Sequence, residues 1–142
     1  MLTLTLSLDT NIYASGDVLA ATQEVPGWAA ANASAQNFLQ SLVLIDADDQ
    51  KAAMDLVFFA SNVSLGTENA ACSIGDTDAL QCIGTVPIET TDYLDLGGVA
   101  VATVRNIGLS LLTSTLYVAA RSRGTPTHSA SGLTLKLSFL AV

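Results

Sequence analysis

The chain has 142 residues, half of them hydrophobic and only 13% charged, and its formal net charge is −8. This length and composition suit one folded domain, residues 1–142, rather than a disordered chain. The acidic balance argues against nucleic-acid binding, which needs clustered Lys and Arg. No stretch reaches the ~18 consecutive apolar residues of a membrane span, and no secretory leader is recognisable after Met1. We therefore expect a protein that is made in the cytosol and has no membrane anchor.

Strict alternation marks the two ends of the sequence. Residues 2–8 read Leu-Thr-Leu-Thr-Leu-Ser-Leu, and residues 133–139 read Leu-Thr-Leu-Lys-Leu-Ser-Phe. A period of two is typical of strands with one buried face. Both termini are therefore predicted to be strands of a sheet, whose edges could pair with a strand of a neighbouring molecule.

Short apolar segments separated by turn residues fill the middle of the chain. Strands are predicted at Val18–Val25, Phe38–Asp46, Met54–Ala60, Ile83–Ile88, Val99–Arg105, Ile107–Leu112 and Leu116–Arg123. Pro87 predicts an edge position for its strand, and Asp46–Lys51 has the length and polarity of a hairpin loop. Residues 28–36 read as an Ala-rich loop. Eight to ten short strands without a helix of normal length predict an all-β fold, an antiparallel β-sandwich or jelly roll.

Charge is unevenly placed along the sequence. All thirteen acidic residues lie between Asp9 and Asp95, whereas four of the five basic residues lie at or after Arg105. One interpretation is that the basic part contacts an acidic partner. The other is that distant strands interleave in the fold, so that the charges mix on one surface.

His128 is the only histidine, and it has no carboxylate neighbour in sequence. Ser129 and Ser131 are nearby, but the segment lacks the nucleophile-elbow pattern of a hydrolase. We therefore predict no catalytic residue and no enzymatic activity. A single histidine also excludes a metal site built from several histidines.

Three carboxylates, Asp46, Asp48 and Asp49, faintly resemble a calcium loop. The glycine and the terminal Glu of such a loop are missing, so we expect a solvated loop tip with Lys51 as a local partner. No metal site and no cofactor are predicted.

Cys72 and Cys82 lie ten residues apart, without the spacing of a zinc site. A reducing cytosol favours free thiols, although a disulfide stays possible if the loop folds back. Trp28 could pack, anchor an interface or stack on a sugar.

Several segments carry a family resemblance that runs over nearly the whole chain: residues 4–20, 55–70 (Asp-Leu-Val-Phe-Phe-Ala-Ser-Asn-Val-Ser-Leu-Gly-Thr-Glu-Asn-Ala), 93–98, 105–109 and 123–127. They resemble the head decoration, or cement, proteins of short-tailed bacteriophages that infect cyanobacteria and other aquatic bacteria. The resemblance implies a β-sandwich that assembles on the outside of the capsid shell, often as a trimer, and it implies no catalytic residues. Cys72 and Cys82 do not belong to the family pattern.

This resemblance gives the functional prediction: a homotrimeric virion protein that binds the major capsid protein and stabilises the shell. The candidate partner-binding residues are Arg105, Arg121, Arg123 and Trp28, with the basic residues facing an acidic capsid surface. The alternative is a carbohydrate- or receptor-binding module of a phage head or tail fibre, which would need exposed aromatic side chains beside carboxylates.

Overall fold

The computed structural model describes residues 1–28 and 37–141 and shows two antiparallel sheets. The described strands are β1 (Leu2–Thr5), β2 (Val18–Glu24), β3 (Asn37–Asp46), β4 (Met54–Phe59), β5 (Cys82–Ile88), β6 (Tyr93–Asp95), β7 (Ala100–Val104), β8 (Leu109–Leu111), β9 (Tyr117–Ser122) and β10 (Leu133–Ala141). The described residues also form a four-residue helix, α1 (Asp76–Ala79), and a 3-10 turn at Thr90–Asp92. None of the described helices is long and apolar enough to cross a membrane. Most of the predicted loop at 28–36 lies outside the described residues.

The strand order is that of a jelly roll. One sheet runs β1-β10-β3-β7-β6, with β8 also paired to β3, and the other runs β2-β9-β4-β5. Strands from the first part of the chain thus pair with strands from the last part: β1 with β10, β2 with β9, and β3 with β7. Folding a long antiparallel hairpin over itself into two sheets produces this order, which has no helical layer. The predicted all-β antiparallel sandwich is confirmed.

The core lies between the two sheets and follows the predicted alternation. Leu4, Leu6 and Leu8 are buried, as are Leu133, Leu135 and Leu137 on β10. A second, smaller hydrophobic cluster lies on the outer face of the four-stranded sheet, where the segment after β4 covers it. It contains Val18, Phe59, Leu65 and Ala119. Only one of the two sheets therefore has its outer face covered in this way by the described chain.

Two details of the predicted strand arrangement are wrong. The segment Asp46–Lys51 does not close a hairpin, because β3 and β4 belong to different sheets. The buried Asp46 carboxylate accepts hydrogen bonds from the backbone N–H groups of Asp48 (3.1 Å) and Lys51 (2.8 Å). These bonds hold a tight loop that leads the chain across the sandwich, and loop length alone does not distinguish this path from a hairpin.

The last strand, β10, is not an edge either, because it lies between β1 and β3. The edge predicted for Pro87 is confirmed, since β5 ends its sheet.

Candidate interaction surfaces and the His128 cluster

Arg121 and Arg123 lie at the end of β9 and take part in ion pairs within the molecule. Arg121 Nη1 is 3.1 Å from Asp55 Oδ2, and Arg123 Nε is 3.1 Å from Asp55 Oδ1. Arg123 Nη2 also lies 2.9 Å from Glu89 Oε1. The hydrogen bond to Glu89, with the nearby charge of Asp55, raises the pKa of Arg123 above its usual value. The charges of the two parts of the sequence therefore mix here, and a partner-binding role for these two arginines stays a prediction.

Trp28 is packed inside the sandwich. Its side chain is 2% exposed, and its ring meets that of Phe139 edge-on with centroids 5.0 Å apart. The indole Nε1–H donates to the carbonyl oxygen of Thr113 at 3.1 Å. These contacts fit the packing alternative for Trp28, whereas a direct part in partner binding stays a prediction.

The outer face of the six-stranded sheet differs from the covered face of the other sheet. Register places Thr3, Lys136, Val43 and Thr103 side by side across four strands. The half-buried Lys136 lies between two buried leucines of β10, so its side chain points away from the core. Sequence analysis did not single out this lysine, although the alternation of the last strand could have placed it outward.

A second row of this face carries Thr5, Thr134, Ile45, Val101 and Leu94, again in register. Arg105 follows β7 by one residue and is exposed. Strand alternation puts it on the same side as residues 101 and 103. The remaining candidate arginine of the sequence analysis therefore lies at this face.

The outer face of the six-stranded sheet is apolar and rich in hydroxyl groups. Six of its side chains are apolar, half-buried or exposed, and belong to neither hydrophobic cluster: Phe38, Val43, Ile45, Leu94, Val101 and Leu140. None of the described residues that the registers place on this face is acidic. We call this surface the β1-β6 face.

His128 lies fully buried beside two carboxylates that are far from it in sequence. Its Nδ1 is 3.3 Å from Asp48 Oδ2 and 3.9 Å from Asp46 Oδ1. A carboxylate only accepts hydrogen bonds, so Nδ1 carries the proton and donates to Asp48. The backbone N–H of Ser129 (2.8 Å) and its hydroxyl (3.2 Å) donate to the same oxygen. Burial opposes ionisation of Asp48, but these hydrogen bonds outweigh it and lower the pKa of Asp48.

The hydrogen bonds of this His128 cluster hold two loops together. Ser129 contacts Asp48 rather than the histidine, and His128 Nε2 is buried without a hydrogen-bond partner among the described residues. A catalytic triad needs a hydroxyl at that nitrogen. A metal-bound histidine normally donates its other N–H to an acceptor, and Nε2 lacks one here. Asp46, Asp48 and His128 lie close enough to hold an ion, but both carboxylates already bind backbone N–H groups. The cluster ties the loop before β10 to the loop after β3.

Asp49 and Lys51 complete the loop after β3. Lys51 Nζ lies 3.0 Å from Asp49 Oδ1 and 2.9 Å from Asp95 Oδ2. The expected local partnership of Lys51 is present, although Asp46 and Asp48 face the protein rather than solvent.

Gly132 is required by the position of the Asp48 carboxylate. A Cβ at residue 132 would overlap Asp48 Oδ2 and lie 3.0 Å from Ser129 Oγ. We expect Gly132→Ala to lower the free energy of unfolding by about 1–3 kcal/mol, measured by urea titration, because a tightly packed site must rearrange. Gly75→Ala is the control, since a Cβ there meets nothing within 4 Å. Equal stability of both variants would contradict this account of the cluster.

Both cysteines are free thiols. Cys72 packs against the smaller hydrophobic cluster, where burial raises its pKa. Cys82 is exposed at the start of β5. Of the two alternatives left open by the sequence, the structure has the reduced one.

No protein-family model matches the chain, and no curated protein sequence does. Structural comparison found Desmodium yellow mottle tymovirus, with 13% identity and a TM-score of 0.32 over 99% of this chain and 79% of the other. It also found a full particle of Israeli acute paralysis virus heated to 63 degrees (13%, 0.32, 99% and 71%). A third was the native virion of Kashmir bee virus at neutral pH (12%, 0.30, 99% and 70%). Similarity at this level does not bear on the function of the chain, and the fold rests on the strand order above.

Proposed function

We propose that the protein is a structural component of a bacteriophage virion: a decoration protein that binds the outside of the head as a homotrimer and bridges major capsid proteins. The sequence resemblance over nearly the whole chain supports this role. The structural observation that supports it best is the β1-β6 face, whose apolar and hydroxyl side chains lie outside both hydrophobic clusters. Apolar side chains grouped on one face of a protein are typical of a binding surface.

A rigid module suits such a role. A cement protein needs a surface that fits its partner and a fold that resists deformation, but no reactive group. The jelly roll provides a core filled from both sheets, and the His128 cluster fixes the long loop before β10. Fixed loops and paired strands lower the conformational entropy lost on binding.

The carbohydrate-binding alternative gains no support from the side chains. Sugar sites use exposed aromatic rings beside polar groups. Each of the eight aromatic side chains is buried or half-buried in the structure. The decoration role therefore fits these side chains better than the carbohydrate-binding role.

Sedimentation with empty shells, assembled from the cognate major capsid protein, tests the proposal. We expect the protein to sediment with the shells and to raise their melting temperature, because a ligand that binds only the intact state stabilises it by about 2.7 kcal/mol at one hundred times Kd. Light scattering of the free protein measures its oligomeric state. Shells that neither retain the protein nor gain thermal stability would contradict the decoration role.

A further inference from the structure

We propose that the β1-β6 face docks onto an acidic protein surface, with Arg105 and Lys136 as its charged contacts. This inference rests on the proposed function, under which the acidic surface belongs to the capsid shell. Of the arginines predicted from the sequence, this inference uses only Arg105, and it adds Lys136. Arg121 and Arg123 form ion pairs with acidic residues of their own chain.

The basic residues of the protein differ in whether they form ion pairs with acidic residues of the same chain. The protein has thirteen acidic and five basic residues. Lys51, Arg121 and Arg123 form ion pairs, whereas no ion pair involves Arg105 or Lys136 among the described residues. These two unpaired cations both lie on the β1-β6 face, which carries no acid among the residues placed by register. The face is therefore locally positive on a molecule of net charge −8.

This asymmetry selects both the orientation and the partner. An acidic surface repels most of the molecule and attracts the β1-β6 face, so electrostatic steering presents this face first. Once the two surfaces are in contact, the apolar side chains around Lys136 and Arg105 lose their water. Apolar side chains of this kind are usual at the centre of an interface. The hydroxyl groups of Thr3, Thr103 and Thr134 can hydrogen-bond across the contact without a charge to desolvate.

Other occupants fit the face less well. Two cations are too few for nucleic-acid binding, which depends on many phosphate contacts. A second copy docked through the same face would bring four positive charges and no acid placed by register into one interface, which is unfavourable. An anionic lipid surface also attracts these two cations. Binding to lipid vesicles distinguishes such a surface from an acidic protein surface.

The test compares two double variants of equal charge in sedimentation with the cognate empty shells. R105Q/K136Q removes two positive charges from the β1-β6 face. The control, N62D/T77E, adds two negative charges at exposed positions elsewhere, so both variants change the net charge equally. We expect R105Q/K136Q to raise the Kd about tenfold in ~50 mM salt and to flatten its salt dependence. The control should change the Kd by less than about twofold. Thermal unfolding confirms that both variants fold.

The outcomes distinguish this inference from the proposed function. If wild type binds the shells and R105Q/K136Q binds equally well, the docking proposal is wrong and the decoration role stands. If wild type does not bind the shells, both are overturned. Vesicles of phosphatidylcholine and phosphatidylglycerol provide the last arm. If wild type binds these vesicles, R105Q/K136Q does not, and both proteins bind the shells equally well, the face binds lipid and the docking proposal is wrong.

Discussion

Trp28→Ala is expected to lower the free energy of unfolding by about 3–5 kcal/mol. The substitution removes a ring that is 2% exposed and packs edge-on against Phe139. It also leaves the carbonyl oxygen of Thr113 without the indole N–H that donates to it at 3.1 Å. Because domains of this size are stable by only about 5–15 kcal/mol, the loss is a large share of the total. Urea or guanidinium titration followed by circular dichroism measures it.

Trp28→Phe separates packing from partner binding. A phenyl ring keeps much of the contact with Phe139 but cannot donate to Thr113, so we expect a smaller loss, about 1–2 kcal/mol. The folded variant should bind capsid shells as wild type does. A Trp28→Phe protein of near-normal stability that binds shells at least about tenfold more weakly would show that the ring contacts the partner, contrary to the packing assignment.

Alternation predicted the first and last strands, because burial of one face leaves a period of two in the sequence, and short apolar segments between turn residues predicted the others. The opening and closing leucine repeats became β1 and β10, and Pro26-Gly27 and Gly97-Gly98 lie between strands, whereas Gly84 and Pro87 lie within β5. Alternation does not specify which sheet a strand joins. The loop between β3 and β4 shows this limit, since its polarity and length fit a hairpin, whereas the buried Asp46 turns the chain toward the other sheet.

The unequal charge along the sequence has the same explanation. A jelly roll pairs early strands with late ones, so β9 with its arginines lies beside β4 with Asp55. Position along the chain therefore does not show which bases lack an acid nearby. The registers place Lys136 on the β1-β6 face, and strand alternation continued one residue past β7 places Arg105 there too.

His128 illustrates what sequence proximity misses. Its carboxylate partner Asp48 lies eighty residues earlier in the chain, on a loop that alone looked like a solvated tip. The two loops meet only because β3 and β10 are neighbours in the sheet, with Asp46 paired to Leu133. The structural role of the histidine follows from topology, and no local motif signals it.

Asp48→Asn is expected to lower the free energy of unfolding at pH 7 by about 1–3 kcal/mol. The carboxylate accepts hydrogen bonds from the Ser129 N–H, the Ser129 hydroxyl and His128 Nδ1. An amide in its place accepts more weakly and offers an N–H that these donors cannot use. Urea titration at several pH values measures the difference between wild type and variant.

The sign of the pH dependence follows from the lowered pKa of Asp48. A carboxylate whose folded pKa lies below its unfolded value of about 3.8 contributes its full stability above that unfolded value. The contribution is lost as the pH falls through the lower folded pKa, because protonation then favours neither state. The gap between wild type and Asp48→Asn should therefore shrink as the pH falls below about 4.

Asp49→Asn is the matched control, one residue away in the same loop. Asp49 has a φ of 55° and an ion pair with Lys51, and asparagine tolerates that left-handed conformation well. Loss of a surface ion pair costs less than about 1 kcal/mol, so this variant should stay close to wild type at neutral pH. If the difference in free energy of unfolding between wild type and Asp48→Asn stays unchanged at acidic pH, the charge of Asp48 does not contribute to stability. The His128 cluster would then act through packing alone.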